Sequence, residues 1–128
     1  VILDSSAIVA VVLREPGHER LLGKLALAET LAVGAPTLAE AGIVLTARLG
    51  RPAGGLLLGL LREWQAETVL FGEEHWREAL EAFDRFGRGR HRAGLNFGDC
   101  LAYAVARLSG EPLLYTGDDF ARTDIEPA

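Results

Sequence analysis

Acidic residues recur at four places where an apolar stretch of this chain gives way to a helix start. They are Asp4 in VILDSSA, Glu40 in APTLAEAG, Asp99 in LNFGDCLAYA, and the pair Asp118 and Asp119 in LLYTGDDF. In a parallel α/β fold such junctions gather along one edge of the sheet, so distant segments can deliver carboxylates to one spot. Two unit charges about 4 Å apart repel by roughly 4 kcal/mol at an effective dielectric near 20. Three or four of them need a cation or shared protons. An all-oxygen donor set suits a hard divalent cation, and magnesium takes one or two carboxylates while keeping waters that phosphates can replace. The chemistry indicated is cutting or transferring a phosphodiester.

Each acid also has a structural role open to it. Thr37-x-x-Glu40 fits a capping box, Asn96-x-x-Asp99 and Thr116-x-x-Asp119 are cap-like variants, and Asp4 can cap a helix starting at Ser5. Capping accounts for any one of them but not for the set, because a Ser or Thr caps equally well. The two roles are compatible, since a helix start holds a carboxylate rigidly while its dipole offsets part of the charge.

The elements that must position these residues alternate between strand and helix. VIL reads as a buried strand, and SSAIVAVVLRE as an apolar helix stopped by Pro16 and Gly17. Residues 18 to 28 form a second helical stretch, TLAVGA a second strand, and Pro36 opens a helix to about Gly50. Pro52 opens another through about Glu67, followed by a strand at TVLF, residues 68 to 71. EEHWREALEAFDRF places Trp76, Ala79, Leu80 and Phe83 at helical spacing with an acidic outer face. Asn96 caps a helix through about Leu108, PLLYT is a fourth strand, and IEP adds a short edge strand. Such alternation predicts a central parallel sheet covered on both faces, in one domain over residues 1–128.

Composition bounds the function. With 128 residues and 49% hydrophobic content the chain can bury a core without metal or disulfide, and Cys100 is its only cysteine. The apolar runs are broken by Gly, Arg or Glu, which argues against secretion and membrane spanning and for a cytoplasmic protein. A net charge of −5 excludes a protein that coats nucleic acid by overall positive charge. One loop reverses the sign: RFGRGRHR, residues 85 to 92, holds Arg85, Arg88, Arg90 and Arg92 without an acid, just ahead of Asp99. Arginine forks match phosphate oxygens, so this loop is a candidate RNA contact, with a merely solvated loop as the alternative. His18, His75 and His91 are too scattered to make a transition-metal site. Trp64 and Trp76 read as core or interface residues, and the Leu- and Ala-rich stretches 25–32 and 53–61 as packed or partner-binding.

VILDSSAIVAVVLREPG, APTLAEAGIVLTAR, GRGRHRAGLNFGDCLAYAVAR and PLLYTGDDFARTDI, in this order and spacing, resemble the PIN domain of VapC-type toxins from bacterial toxin–antitoxin pairs. The likeness spans nearly the whole chain and is most specific at LNFGDC and LLYTGDDFARTDI. It implies a PIN-like three-layer α/β/α fold and a magnesium-dependent endoribonuclease, manganese substituting, that cuts structured RNA such as transfer or ribosomal RNA. It also implies a small VapB-type antitoxin as partner and a homodimer. The family's acids carry over to Asp4, Glu40 and Asp99, with the fourth at Asp118 or Asp119. Asp4 and Asp99 correspond to metal ligands, Glu40 to the group that orients or deprotonates water, and Ser6, ahead of Ser5, to a contact with water or phosphate.

Other classes fit less well. A phosphoacceptor receiver needs a Lys after a late strand, and the only Lys is Lys24 in an early helix. An aspartyl phosphatase wants a second acid where Ser6 stands. The remaining rival is a PIN-like module that binds RNA or scaffolds without turnover.

Overall fold

The computed structural model describes residues 1–128. Four short strands, β1 (Ile2–Leu3), β2 (Ala32–Gly34), β3 (Glu67–Val69) and β4 (Leu113–Leu114), pair in parallel in the order β3-β2-β1-β4. Six helices connect or follow them: α1 (Ser5–Val12), α2 (His18–Leu27), α3 (Ala35–Leu49), α4 (Gly54–Glu63), α5 (Glu73–Phe86) and α6 (Phe97–Ser109). Successive side chains on a strand point to opposite faces, and β1, β2 and β4 each feed two cores, while the edge strand β3 packs only Val69. Ile2, Ala32 and Leu113 pack with α5 and α6 on one face. Leu3, Val33 and Leu114 pack with α1 to α4 on the other. That is the three-layer α/β/α arrangement expected of the sequence. No helix is long and apolar enough to cross a membrane.

Because all four strands run the same way, Leu3, Gly34 and Leu114 end at the same sheet edge, and the chain leaves them into Asp4, α3 and Tyr115. Helix α6 crosses so close to the end of β2 that a Cβ on Gly34 would lie 2.9 Å from Val105 Cγ2. Glycine at this position lets α6 bring its N-terminus to that edge.

Several expected boundaries and faces shift, each for a local reason. Helix α1 ends at Val12 rather than running on to Glu15, because Arg14 turns left-handed (φ 51°) and the Glu15 N–H reaches back to Ala10. Helix α4 covers Gly54–Glu63 instead of reaching Glu67, and β3 starts one residue earlier than TVLF. The Glu67 N–H is taken by Leu31 on the sheet, which leaves Gln65 to make the turn at φ 52°. Leu70, expected within the strand, is 81% exposed. On α5 the buried residues are Ala79, Ala82 and Phe86, while Trp76, Leu80 and Phe83 stay half exposed. Small alanines share a core with Ala102 and Ala106 of α6 and let the two helices approach closely, so the bulky residues fall to the flank. Residues 125 to 127 add a single bridge, Leu113 to Pro127, rather than a strand.

Candidate active site

Asp4 follows β1 and caps α1 through its side chain. Its Oδ2 accepts the Ser6 N–H at 3.0 Å and the Ser6 hydroxyl at 2.5 Å. Ser6 Oγ in turn accepts the Thr116 N–H at 3.1 Å, and the Asp4 N–H donates to Leu114 at 2.9 Å, so the ends of β1 and β4 are laced together around this carboxylate. Asp4 is only 3% exposed, and its Oδ1 has no hydrogen-bond partner. Burial raises its pKa, the Ser6 hydroxyl and amide pull it down, and the Glu40 charge pushes it up again.

Glu40 lies inside α3. The capping box expected at Thr37-x-x-Glu40 is absent, because the helix already starts at Ala35 with Gly34 as its cap and Pro36 in its first turn. Thr37 is buried, with its hydroxyl unpartnered. Glu40 is therefore free to reach the sheet edge, where the Ser5 hydroxyl donates to its Oε1. Its carboxylate rests against the α6 backbone: a Cβ on Gly98 would overlap it, standing 2.8 Å from Cδ. Gly98→Ala should therefore displace Glu40 and cut activity sharply. The melting temperature should hold near the parent's, since a flexible side chain can swing away; kinetics beside a thermal melt would check this.

Asp99 takes the third position of α6 in the capping box expected from sequence. Its Oδ2 accepts the Asn96 N–H at 3.0 Å, and its own N–H donates to Asn96 Oδ1 at 2.9 Å. Its pKa is pushed up to about 6, first by burial and then by the charges of Asp4, Asp119 and Glu40, against the lowering effect of the Asn96 N–H. Four segments thus place carboxylates in one electrostatic field. Of the TGDDF pair, Asp119 acts on Asp99, whereas Asp118 acts on Tyr115. Thr116-x-x-Asp119 forms no side-chain cap; Asp119 simply precedes a single 3-10 turn over Phe120–Arg122.

None of the four acids takes part in an ion pair. No three His, Cys, Asp or Glu side chains converge into a ready metal cage. The donor set nonetheless fits a hard, largely hydrated cation, which needs only one or two carboxylates and fills its other positions with water. A cation would give the buried, unpartnered Asp4 Oδ1 a partner and offset the neighbouring charges that raise the Asp99 pKa.

The basic loop connects α5 to α6 and is closed by backbone bonds from Arg88 to Leu95 and from Leu95 to Phe86. Arg88, Arg90 and Arg92 are exposed. Arg90 lies 3.6 Å from Asp84 and over the Phe83 ring, while Arg88 and Arg92 have no ion pair. The Arg92 carbonyl accepts from the Arg122 guanidinium at 3.3 Å, which ties the loop to the turn behind Asp119. His75 and His91 serve backbone turns at Gly72 and Ala93. Of the tryptophans, Trp64 packs partly buried against the core under α1 to α4, and Trp76 lies half exposed.

A network that the sequence reading overlooked anchors the C-terminal segment carrying Asp119. Asp124 accepts the hydroxyl of the fully buried Tyr103 at 2.6 Å and Arg85 at 2.9 Å, with Arg107 at 3.9 Å. Burial would raise the Asp124 pKa, but these donors outweigh it and hold the group below its ordinary value. Asp124→Ala should leave the Tyr103 hydroxyl unpaired, at a cost of about 1–3 kcal/mol, and lower the melting temperature at neutral pH. Because the folded-state pKa is depressed, the gap between parent and variant should narrow as the pH falls through the carboxylate range.

The PIN domain family matches residues 1–126. Ribonuclease VapC36 of Mycobacterium tuberculosis is 47% identical over 126 residues, which cover 98% of this chain and 91% of that protein. Ribonuclease VapC of Mycolicibacterium smegmatis is 39% identical over 124 residues, 97% of this chain and 96% of its own. Among solved structures, the M. tuberculosis sarcin-ricin loop cleaving toxin VapC20 superposes with a TM-score of 0.80 at 17% identity, over 99% of this chain and 97% of its own. A chain of a toxin–antitoxin complex from Klebsiella pneumoniae reaches 0.70 at 12% identity, over 97% and 92%. At those identities the superpositions speak for the fold alone, while the sequence matches carry the kinship. Fold and sequence agree that this chain belongs to the PIN domain family, within its VapC ribonuclease group.

Proposed function

We propose that this protein is a magnesium-dependent endoribonuclease, the toxin of a type II toxin–antitoxin pair, acting in the cytoplasm on structured RNA such as transfer or ribosomal RNA. The observation that carries the reading is the buried Asp4 carboxylate, its Oδ1 without a partner, in a shared field with Glu40, Asp99 and Asp119 and without a cationic side chain to offset it. Only a cation brought from outside makes such a cluster sustainable while ionised.

Asp4 and Asp99 would hold the magnesium ion, with manganese as a substitute. When bound, the ion polarises the scissile phosphate and lowers the pKa of its water. Glu40, whose Oε1 accepts the Ser5 hydroxyl, would orient the attacking water and take its proton. Ser6 is committed to Asp4 and to the Thr116 amide, so its service is to fix the ligand's direction toward substrate. Asp119 completes the acidic shell, and Arg88, Arg90 and Arg92 hold RNA phosphates beside it. A homodimer and a small VapB-type antitoxin, covering exposed apolar surface and setting a basic residue near the acids, complete the proposed assembly. Incubating the purified protein with total RNA in magnesium or in EDTA tests the reading: fragments should form only with the metal, and equal cleavage in EDTA would overturn it.

A further inference from the structure

Beside Glu40 the surface opens into a slot of about 410 Å³ whose walls include Ile43 and Val44 of α3 and Phe97, Gly98 and Leu101 of α6. Phe97 is 80% exposed and Ile43 71%, although both stand next to a well-packed core. Phe97 is the first residue of α6, and the Asn96–Asp99 capping box fixes the backbone on both sides of it, so the ring is presented from a rigid base. The only charged group in the lining is Glu40, whose carboxylate is held by Ser5. An anionic phosphate is unwelcome there; a flat, uncharged, apolar-faced group is suited to it.

Resting on the ribonuclease reading above, we propose that this slot takes one unpaired nucleobase of the RNA substrate, stacked on Phe97 and backed by Ile43, and so helps choose where the strand is cut. Stacking on an aromatic ring is how proteins commonly grip unpaired bases. Glu40 belongs both to the slot and to the acidic cluster, so a base seated there places its own backbone phosphate beside the carboxylates. Arginines of the 88–92 loop, which leads into α6 through its cap Asn96, remain available for neighbouring phosphates. The rival occupant is a second copy of this chain, since a shallower apolar groove continues along α3 through Ala39 and Ile43 to Leu57.

The test uses Phe97→Ala and Phe97→Tyr, each in the active protein and in an Asp4→Asn background that binds without cutting. A short single-stranded RNA carrying 2-aminopurine reports stacking by fluorescence quenching, and sedimentation equilibrium reports mass. Phe97→Ala should lose the quenching, raise KM roughly 5- to 100-fold and alter the base preference at cut sites. Phe97→Tyr should restore all three, and neither Phe97 substitution should change the mass or, in the Asp4-containing protein, the magnesium-induced melting shift. Unaltered quenching, KM and cut sites in Phe97→Ala would overturn the slot. A fall in mass accompanying the loss would assign the face to self-association and overturn it too. Absence of magnesium-dependent cleavage by the parent would instead strike the ribonuclease reading, while the quenching measurement still decides the slot.

Discussion

Asp4→Asn and Asp99→Asn should each reduce RNA cleavage by about a thousand-fold or more, yet leave the metal-free protein as stable as the parent or more so. Each substitution removes one charge from a group of mutually repelling carboxylates; asparagine at 4 still caps α1, and at 99 its amide oxygen can still accept the Asn96 N–H. The pH dependence sharpens the test. Asp99 rises from 3.8 to about 6 on folding, so the folded state holds its proton more tightly than the unfolded chain. That contribution is fully present below about pH 4 and is lost as pH climbs through about 6. In EDTA the parent should therefore lose stability relative to Asp99→Asn across that window. Magnesium should restore it above pH 6, by preferring the ionised site. Thermal melts at several pH values, with and without the ion, read both effects. Equal magnesium shifts in parent and variants would remove these residues from the ligand set.

Neutralising Arg88, Arg90 and Arg92 together should weaken RNA binding strongly and flatten its dependence on salt. Each single-strand phosphate contact contributes roughly 0.7 to the log–log slope, so losing three lowers it by about 2. A chain of net charge −5 has little other means of drawing a polyanion toward an acidic centre. Arg88 and Arg92, without ion pairs, should account for most of the change, because Arg90 is already engaged by Asp84 and Phe83. The magnesium shift in melting should persist, since guanidinium groups are not ligands. A triple alanine variant that binds RNA like the parent across a salt series would reduce the loop to solvated surface.

Much of this was legible in the residues themselves. Alternating apolar runs and turn signals gave the order of strands and helices, and the junction acids Asp4, Asp99 and Asp119 share one field with Glu40, which reaches it from inside α3 rather than from its start. What escaped depends on tertiary packing. The outward position of Trp76 and Leu80 follows from how closely Ala79 and Ala82 let α5 approach α6, a distance that periodicity does not encode. Likewise Asp119 and Asp118 are adjacent in sequence, and only the course of the turn separates their neighbours. Gly98 read as part of a motif, but its reason, room for the Glu40 carboxylate, is a contact between residues far apart in the chain. The Asp124 anchor had no local signature at all, because its partners Arg85, Tyr103 and Arg107 sit on two other helices.

Asp4 and Asp99 each serve a helix start as well as the acidic centre, and this double duty shapes how such a protein decays over generations. Asparagine caps helices about as well as aspartate, and at position 99 its amide oxygen can still accept the Asn96 N–H, so a lineage freed from selection for cutting can exchange either acid for asparagine and keep a folded chain. Glu40, which caps nothing, is under no such shelter from the fold. Disarmed descendants should therefore be recognisable by Asn at position 4 or 99 within an otherwise intact core, and by drift at position 40.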